Sequence, residues 1–193
     1  MMRAVRAFAL TAGLAVLLAA PASAQLAIGL TGGVNTSTLT GSDADAINAS
    51  SKTGGAGGAY ANIYLGHRFS VEGQLLFSGQ GFSADSGGSS VSVTQGYIEL
   101  PALLKVYFGH LNIFAGPAIS WKVSCSADVT NVDASCNTAN SSLWSGIAGA
   151  GLQFGKLGVE AHYQSGFSDT FEGLNASYGA WYFMGRLALL GSR

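Results

Sequence analysis

Charge is scarce in this sequence. Lysine, arginine, aspartate and glutamate make up 10% of its 193 residues, against about 25% in ordinary soluble domains. A water-facing globular exterior is hard to build from so little. Long apolar runs are missing as well: beyond residue 24 none approaches the ~18 residues of a membrane-crossing helix. Nine basic residues stand against ten acidic ones. With Arg3 and Arg6 set aside as part of a leader, seven remain and the net charge is −3. No basic stripe is left to neutralise phosphates, which argues against a nucleic-acid partner. Cysteine is limited to Cys125 and Cys136, neither with a histidine beside it, so there is no zinc ligand set. The glycine-rich run 54–58 is followed by neither a phosphate-binding lysine pattern nor a helix. Asp43 and Asp45 lack the companions of a calcium loop. No catalytic, cofactor or metal site is therefore expected.

What is present begins with a leader. Residues 1–24 carry Arg3 and Arg6, an apolar run from Ala7 to Ala20, Pro21, and the small residues Ala22-Ser23-Ala24. This is the pattern of a secretory signal peptide cut before Gln25; the apolar run is short for an anchoring span. Residues 25–193 are then one domain by length.

Within that domain the dominant signal is alternation. From Ile98 the residues Ile98, Leu100, Ala102, Leu104, Val106 and Phe108 share one face, and Tyr97, Glu99, Pro101, Leu103, Lys105 and Tyr107 the other. After Gly109-His110 the period of two resumes, with Leu111, Ile113, Ala115, Ile119 and Trp121 against Asn112, Phe114, Gly116 and Ser120. Two such strands joined by almost nothing form an antiparallel hairpin. Similar strands start at Leu26, Ala59, Phe69, Trp144, Leu157 and Tyr178. Val91 and Val93 fall out of step with Ile98, and a bulge at Gly96 is expected to restore the parity. Short turns at Gly66-His67-Arg68, Gly109-His110 and Gly155-Lys156 alternate with polar stretches at 35–57, 79–90, 124–141 and 168–177. Seven of the ten acidic residues lie in those stretches, which are expected to be loops. The pattern is that of an all-β, eight-stranded antiparallel up-and-down transmembrane β-barrel, with brief periplasmic turns and long external loops.

Period two alone does not say which face meets the lumen. The less apolar faces offer mainly Gly, Ala, Ser, Asn, Gln and Tyr, too little charge to coat a soluble barrel but suited to a narrow interior. Aromatics at strand ends, Tyr64, Phe69, Tyr107, Phe108, Trp121, Trp144 and Trp181, match the girdles of membrane interfaces. With lipid outside, Glu72, Glu99, Lys105, Glu160, His162 and Arg186 point inward. Unpaired buried charge is costly, so Glu72, Glu99 and Glu160 are expected to pair with Lys105 and Arg186 as a plug, Lys122 lying nearer the outer rim. An inward His162 beside Glu160, with Ser165 and Ser168 nearby, is read as structural. Cys125 and Cys136, both in one expected external loop of an exported chain, are expected to form a disulfide worth roughly 2 to 3 kcal/mol.

The stretches YIELPALLK (97–105), FAGPAISW (114–121) and GAGLQFGKLGVEAHYQSGFSD (149–169) resemble the PorT-like and OmpX-like outer-membrane β-barrel domains. The resemblance implies a barrel in the outer membrane of a Gram-negative-type bacterium and names no chemistry. A non-enzymatic, monomeric structural or surface-exposed barrel without cofactor is the expectation. Its partners would be outer-membrane lipid, the barrel-insertion machinery, and surface or envelope proteins at the four external loops. The rivals are a lipid-modifying barrel enzyme and a soluble ligand-binding barrel.

Overall fold

The computed structural model describes residues 25–40, 50–86, 89–129, 142–167 and 177–191, with backbone alone at 39–40, 82–86, 89–93, 125–129 and 177–178. The leader at 1–24 and the connections at 41–49, 130–141 and 168–176 lie outside the described residues, and Asp43, Asp45, Asp133, Cys136, Asp169 and Glu172 with them.

Eight strands follow one another: β1 (Gln25–Thr40), β2 (Ser50–Leu65), β3 (Phe69–Ser86), β4 (Ser89–Phe108), β5 (Leu111–Val129), β6 (Ser142–Phe154), β7 (Leu157–Gly166) and β8 (Ser177–Leu190). Each pairs antiparallel with the next and β8 pairs with β1, so the sheet closes. The three short reversals contain Gly66, Gly109 and Gly155 at φ 78°, 66° and 59°. Left-handed backbone of this kind reverses a hairpin within two or three residues, and glycine adopts it without strain.

The pleat sorts the residues as lipid outside requires. Leu104 is 53% and Ile113 47% exposed, whereas Glu72 and Glu99 are 0% and Arg186 5% exposed. A soluble carrier would show the reverse, with aliphatic side chains converging on the axis. On the outside, most strands run apolar from their short-turn end for about 9–11 residues, the length that crosses a bilayer. Phe69, Phe108 and Phe154 ring the end near the turns, and Trp121, Trp144 and Trp181 the other. Between these girdles large aliphatic side chains are interspersed with small outward residues, Gly32, Gly73, Ala102, Ala115, Ala150, Ala161 and Gly185. A Cβ at Gly73 would meet nothing within 4 Å, so neighbouring atoms do not impose this bareness.

Three expectations are corrected. Tyr64 and Tyr107 do not join a girdle. They share the parity of Tyr60 and Lys105, so both rings are buried in the lumen, 5.7 Å apart beside Ala27. The described residues of the polar stretches are strand: β1 continues to Thr40, β2 starts at Ser50, β5 reaches Val129, and β3 pairs with β4 as far as Ser86↔Ser89. Beyond the bilayer the outward face meets water, so the apolar alternation that reveals a strand disappears while the backbone ladder goes on. The irregularity near Gly96 lies on the opposite strand. Gly96 pairs with Ser124 and Tyr97 with Lys122, which leaves Val123 as the extra residue, while the β3–β4 register runs unbroken past Gly96.

A second irregularity sits at the outer end of β2, whose register with β3 shifts between Ser51 and Ala56. There Ser37 of β1 bridges to β3: the Gly81 N–H donates to Ser37 Oγ at 2.8 Å, and the Ser37 hydroxyl lies 3.0 Å from the Gly81 carbonyl.

Candidate functional site

The lumen is filled in layers, and its lower layer holds the ions. Glu72, Lys105 and Glu160 are each the fourth residue from the short-turn end of β3, β4 and β7, and Arg186 descends from β8. Alternation turns all four inward. The guanidinium of Arg186 grips Glu72 in a fork, Nη1 to Oε1 at 2.9 Å and Nη2 to Oε2 at 2.5 Å, and donates from Nη1 to Glu160 Oε1 at 2.5 Å. The ammonium of Lys105 lies 3.0 Å from Glu72 Oε1 and also donates to Glu160 Oε1. Two carboxylates and two cations thus close a ring of alternating sign. Gln74 adds a donor to Glu72 at 2.7 Å. Aromatic faces cover the cations: the Tyr60 ring centroid is 3.8 Å from the guanidinium, and the Phe114 centroid 4.7 Å from the Lys105 nitrogen.

In a closed order of eight, β3 lies opposite β7 and β4 opposite β8. The ring therefore braces facing walls across the lumen. Charge-assisted pairs of this kind offset the cost of burial when every ion is matched, and removing one partner leaves an uncompensated charge. Beneath the ring lie Tyr64 and Tyr107, with Asn62 Nδ2 donating to the Tyr107 hydroxyl at 3.1 Å.

Glu99 stands apart from the ring. It enters from β4 nearer the outer end, where its Oε1 accepts from Ser78, from Gln80 Nε2 at 3.1 Å and from the Tyr182 hydroxyl at 3.0 Å. The structure thus brings Glu72, Glu160, Lys105 and Arg186 together and gives Glu99 neutral donors instead. His162 lies between the two sets, stacked on Tyr182 at 4.7 Å and edge-on to Phe114 at 6.0 Å. Ser165 belongs to the outward row of β7 and Ser168 lies outside the described residues, so no serine faces His162 from β7. Lys122 is half-buried near the outer end of β5. The side chains of Cys125 and Cys136 are not among those described. Among the described residues, no group of three or more His, Cys, Asp or Glu is placed to hold a metal ion.

Sequence reading did not find Tyr60, Gln74, Ser78, Gln80, Phe114 or Tyr182 as partners of these charges. Their common signal is parity, since each occupies the same face of its strand as the ionised groups.

A closed antiparallel barrel with an aliphatic exterior, aromatic girdles and an ion-paired interior defines an outer-membrane β-barrel protein of a Gram-negative-type envelope. Residues 19–172 match the family model described as the outer membrane protein beta-barrel domain, and the chain belongs to that family. No curated protein matches its sequence. Among solved structures it is similar to Neisserial surface protein A, with 10% identity over 86% of this chain and 98% of that one and a TM-score of 0.56. It is also similar to Ail, the attachment invasion locus protein of Yersinia pestis, with 16% identity, 84% and 97% coverage and a TM-score of 0.44. A further similarity is to OprG from Pseudomonas aeruginosa, with 10% identity, 84% and 93% coverage and a TM-score of 0.38.

Proposed function

We propose that this protein is a non-enzymatic, monomeric surface barrel of the PorT-like and OmpX-like kind, whose outer hairpins contact other surfaces or envelope proteins. The observation that carries the reading is the β3–β4 hairpin. Its ladder continues from Phe77↔Ile98 at the edge of the apolar band to Ser86↔Ser89, roughly 30 Å of paired strand at about 3.3 Å per residue. A stiff, water-facing projection on a rigid base suits recognition. The ion ring and the tyrosines beneath it occupy the lower lumen, and in this reading they hold the wall together rather than line a conducting path. The Cys125–Cys136 disulfide belongs to the same reading, closing the β5–β6 connection.

Replacing residues 83–92 with a two-residue turn tests the proposal. Heat-modifiable gel migration should remain, showing an intact barrel, while attachment of intact cells to a second surface falls. Attachment that stays unchanged after each outer hairpin is trimmed in turn overturns the reading. Discrete single-channel currents in a planar bilayer would overturn the closed lumen.

A further inference from the structure

Just beyond the apolar band, strands β2 to β5 enclose a notch of about 400 Å³ on the outer wall. Its floor is bare backbone, supplied by Gly55, Gly79 and Gly96, with Phe77 as a wall and the hydroxyl residues Thr94 and Ser124 in its lining. The level is fixed by register. Phe77, Ile98 and Trp121 form one paired row at the edge of the lipid band, and Gly79, Gly96 and Ser124 form a paired row directly above it. That is the height of lipid headgroups.

Charge of the right sign is present there. Among the described basic residues, Lys105 and Arg186 are held in the ion ring, and Arg68 and Lys156 stand in turns at the other end of the barrel. Lys52 and Lys122 reach the outer level, and the Lys52 ammonium donates to Thr94 Oγ1 at 2.6 Å, at the notch itself. A Cβ at Gly96 would run into Ser124 Oγ, but Gly55 and Gly79 are not demanded by the fold. A Cβ at Gly55 would meet nothing within 4 Å, and one at Gly79 would come only to 3.9 Å of the Gly55 carbonyl. Side chains at these positions would occupy the notch without pressing on the backbone.

We propose that this notch binds the phosphate of an outer-leaflet lipid headgroup. The Lys52 ammonium and the Thr94 and Ser124 hydroxyls take the phosphate oxygens, and the glycine floor lets the headgroup lie against the wall. Charge-assisted hydrogen bonds to phosphate are strong at an interface of reduced dielectric, and the acyl chains of such a lipid would run down beside Phe77 and Ile98.

The test uses the full barrel in nanodiscs of phosphatidylcholine doped with lipid A, either diphosphorylated or enzymatically dephosphorylated. Retained lipid per barrel is read by native mass spectrometry after extraction. The phosphorylated form should be retained about tenfold better, the ratio that corresponds to one charge-assisted contact. Lys52→Gln and Gly79→Val should each remove most of that preference, while Lys156→Gln at the opposite end leaves it intact. Heat-modifiable migration checks that each variant is folded, and Gly55→Val replaces Gly79→Val if the latter is not. Equal retention of the dephosphorylated lipid, or a preference that survives both Lys52→Gln and filling of the notch, overturns the site. Displacement of the lipid by millimolar inorganic phosphate would assign the notch to the free ion and overturn the lipid source.

Discussion

Glu72 and Glu99 are both 0% exposed, both on inward rows, and held by different means. Glu72, near the turn end, sits between Lys105 and Arg186 and accepts a fork from the guanidinium. Glu99, toward the outer end, rests on two hydroxyls and an amide. The lower lumen is thus an ionic brace between facing walls, and the upper lumen a polar network of ordinary donors. In the lower layer each ion contacts two of opposite sign. In the upper layer the carboxylate is one acceptor among several neutral groups.

The contrast is broken most directly at Arg186. Arg186→Met strips the ring of the cation shared by Glu72 and Glu160, and should cost about 3–5 kcal/mol, read as a fall in the urea midpoint of heat-modifiable migration. Inner and outer walls are compared next. Ala102→Arg places a charge on the lipid face near mid-membrane and should cost about 2–4 kcal/mol, while Trp144→Arg at the girdle should cost about 0–1. Equal losses at the two positions would contradict the assigned band. In the upper lumen, Tyr182→Phe removes one donor to Glu99 and should cost about 0.5–1.5 kcal/mol in the same urea assay. Glu99→Gln should have the smallest effect, within about 1 kcal/mol, because its amide oxygen still accepts from the same neutral donors. A loss at Glu99 as large as that at Arg186 would show that the upper carboxylate also relies on a cation.

Alternation makes the strands and their number legible in the sequence, and it predicts which charged residues share the inward rows. It could not choose partners. Glu72 and Glu99 have the same parity and chemistry, and their neighbours are decided by how far each stands from the short turns and by which strand lies across the lumen, both properties of closure. The signal also failed where its physical cause was absent. Residues 79–86 and 89–90 are paired strand beyond the apolar band, so glycine and serine there look like a loop. For Tyr64 and Tyr107, position at a strand end suggests a girdle, but parity prevails and each continues the inward row of its own strand. The β5 bulge at Val123 escaped for a related reason: an extra residue shows in the pairing between strands, which one strand's periodicity does not report.

The slender middle of the outer wall bears on how the protein sits in its membrane. Bulky rings stand at both rims, and the glycines and alanines set among the aliphatic side chains between them make the middle of the wall narrower than its rims. Sliding toward either leaflet would push a collar of aromatic rings into the hydrocarbon centre and draw aliphatic side chains into water. The depth of immersion is therefore fixed by shape as well as by polarity, and a bilayer of different thickness would be expected to deform around the barrel before the barrel shifts within it.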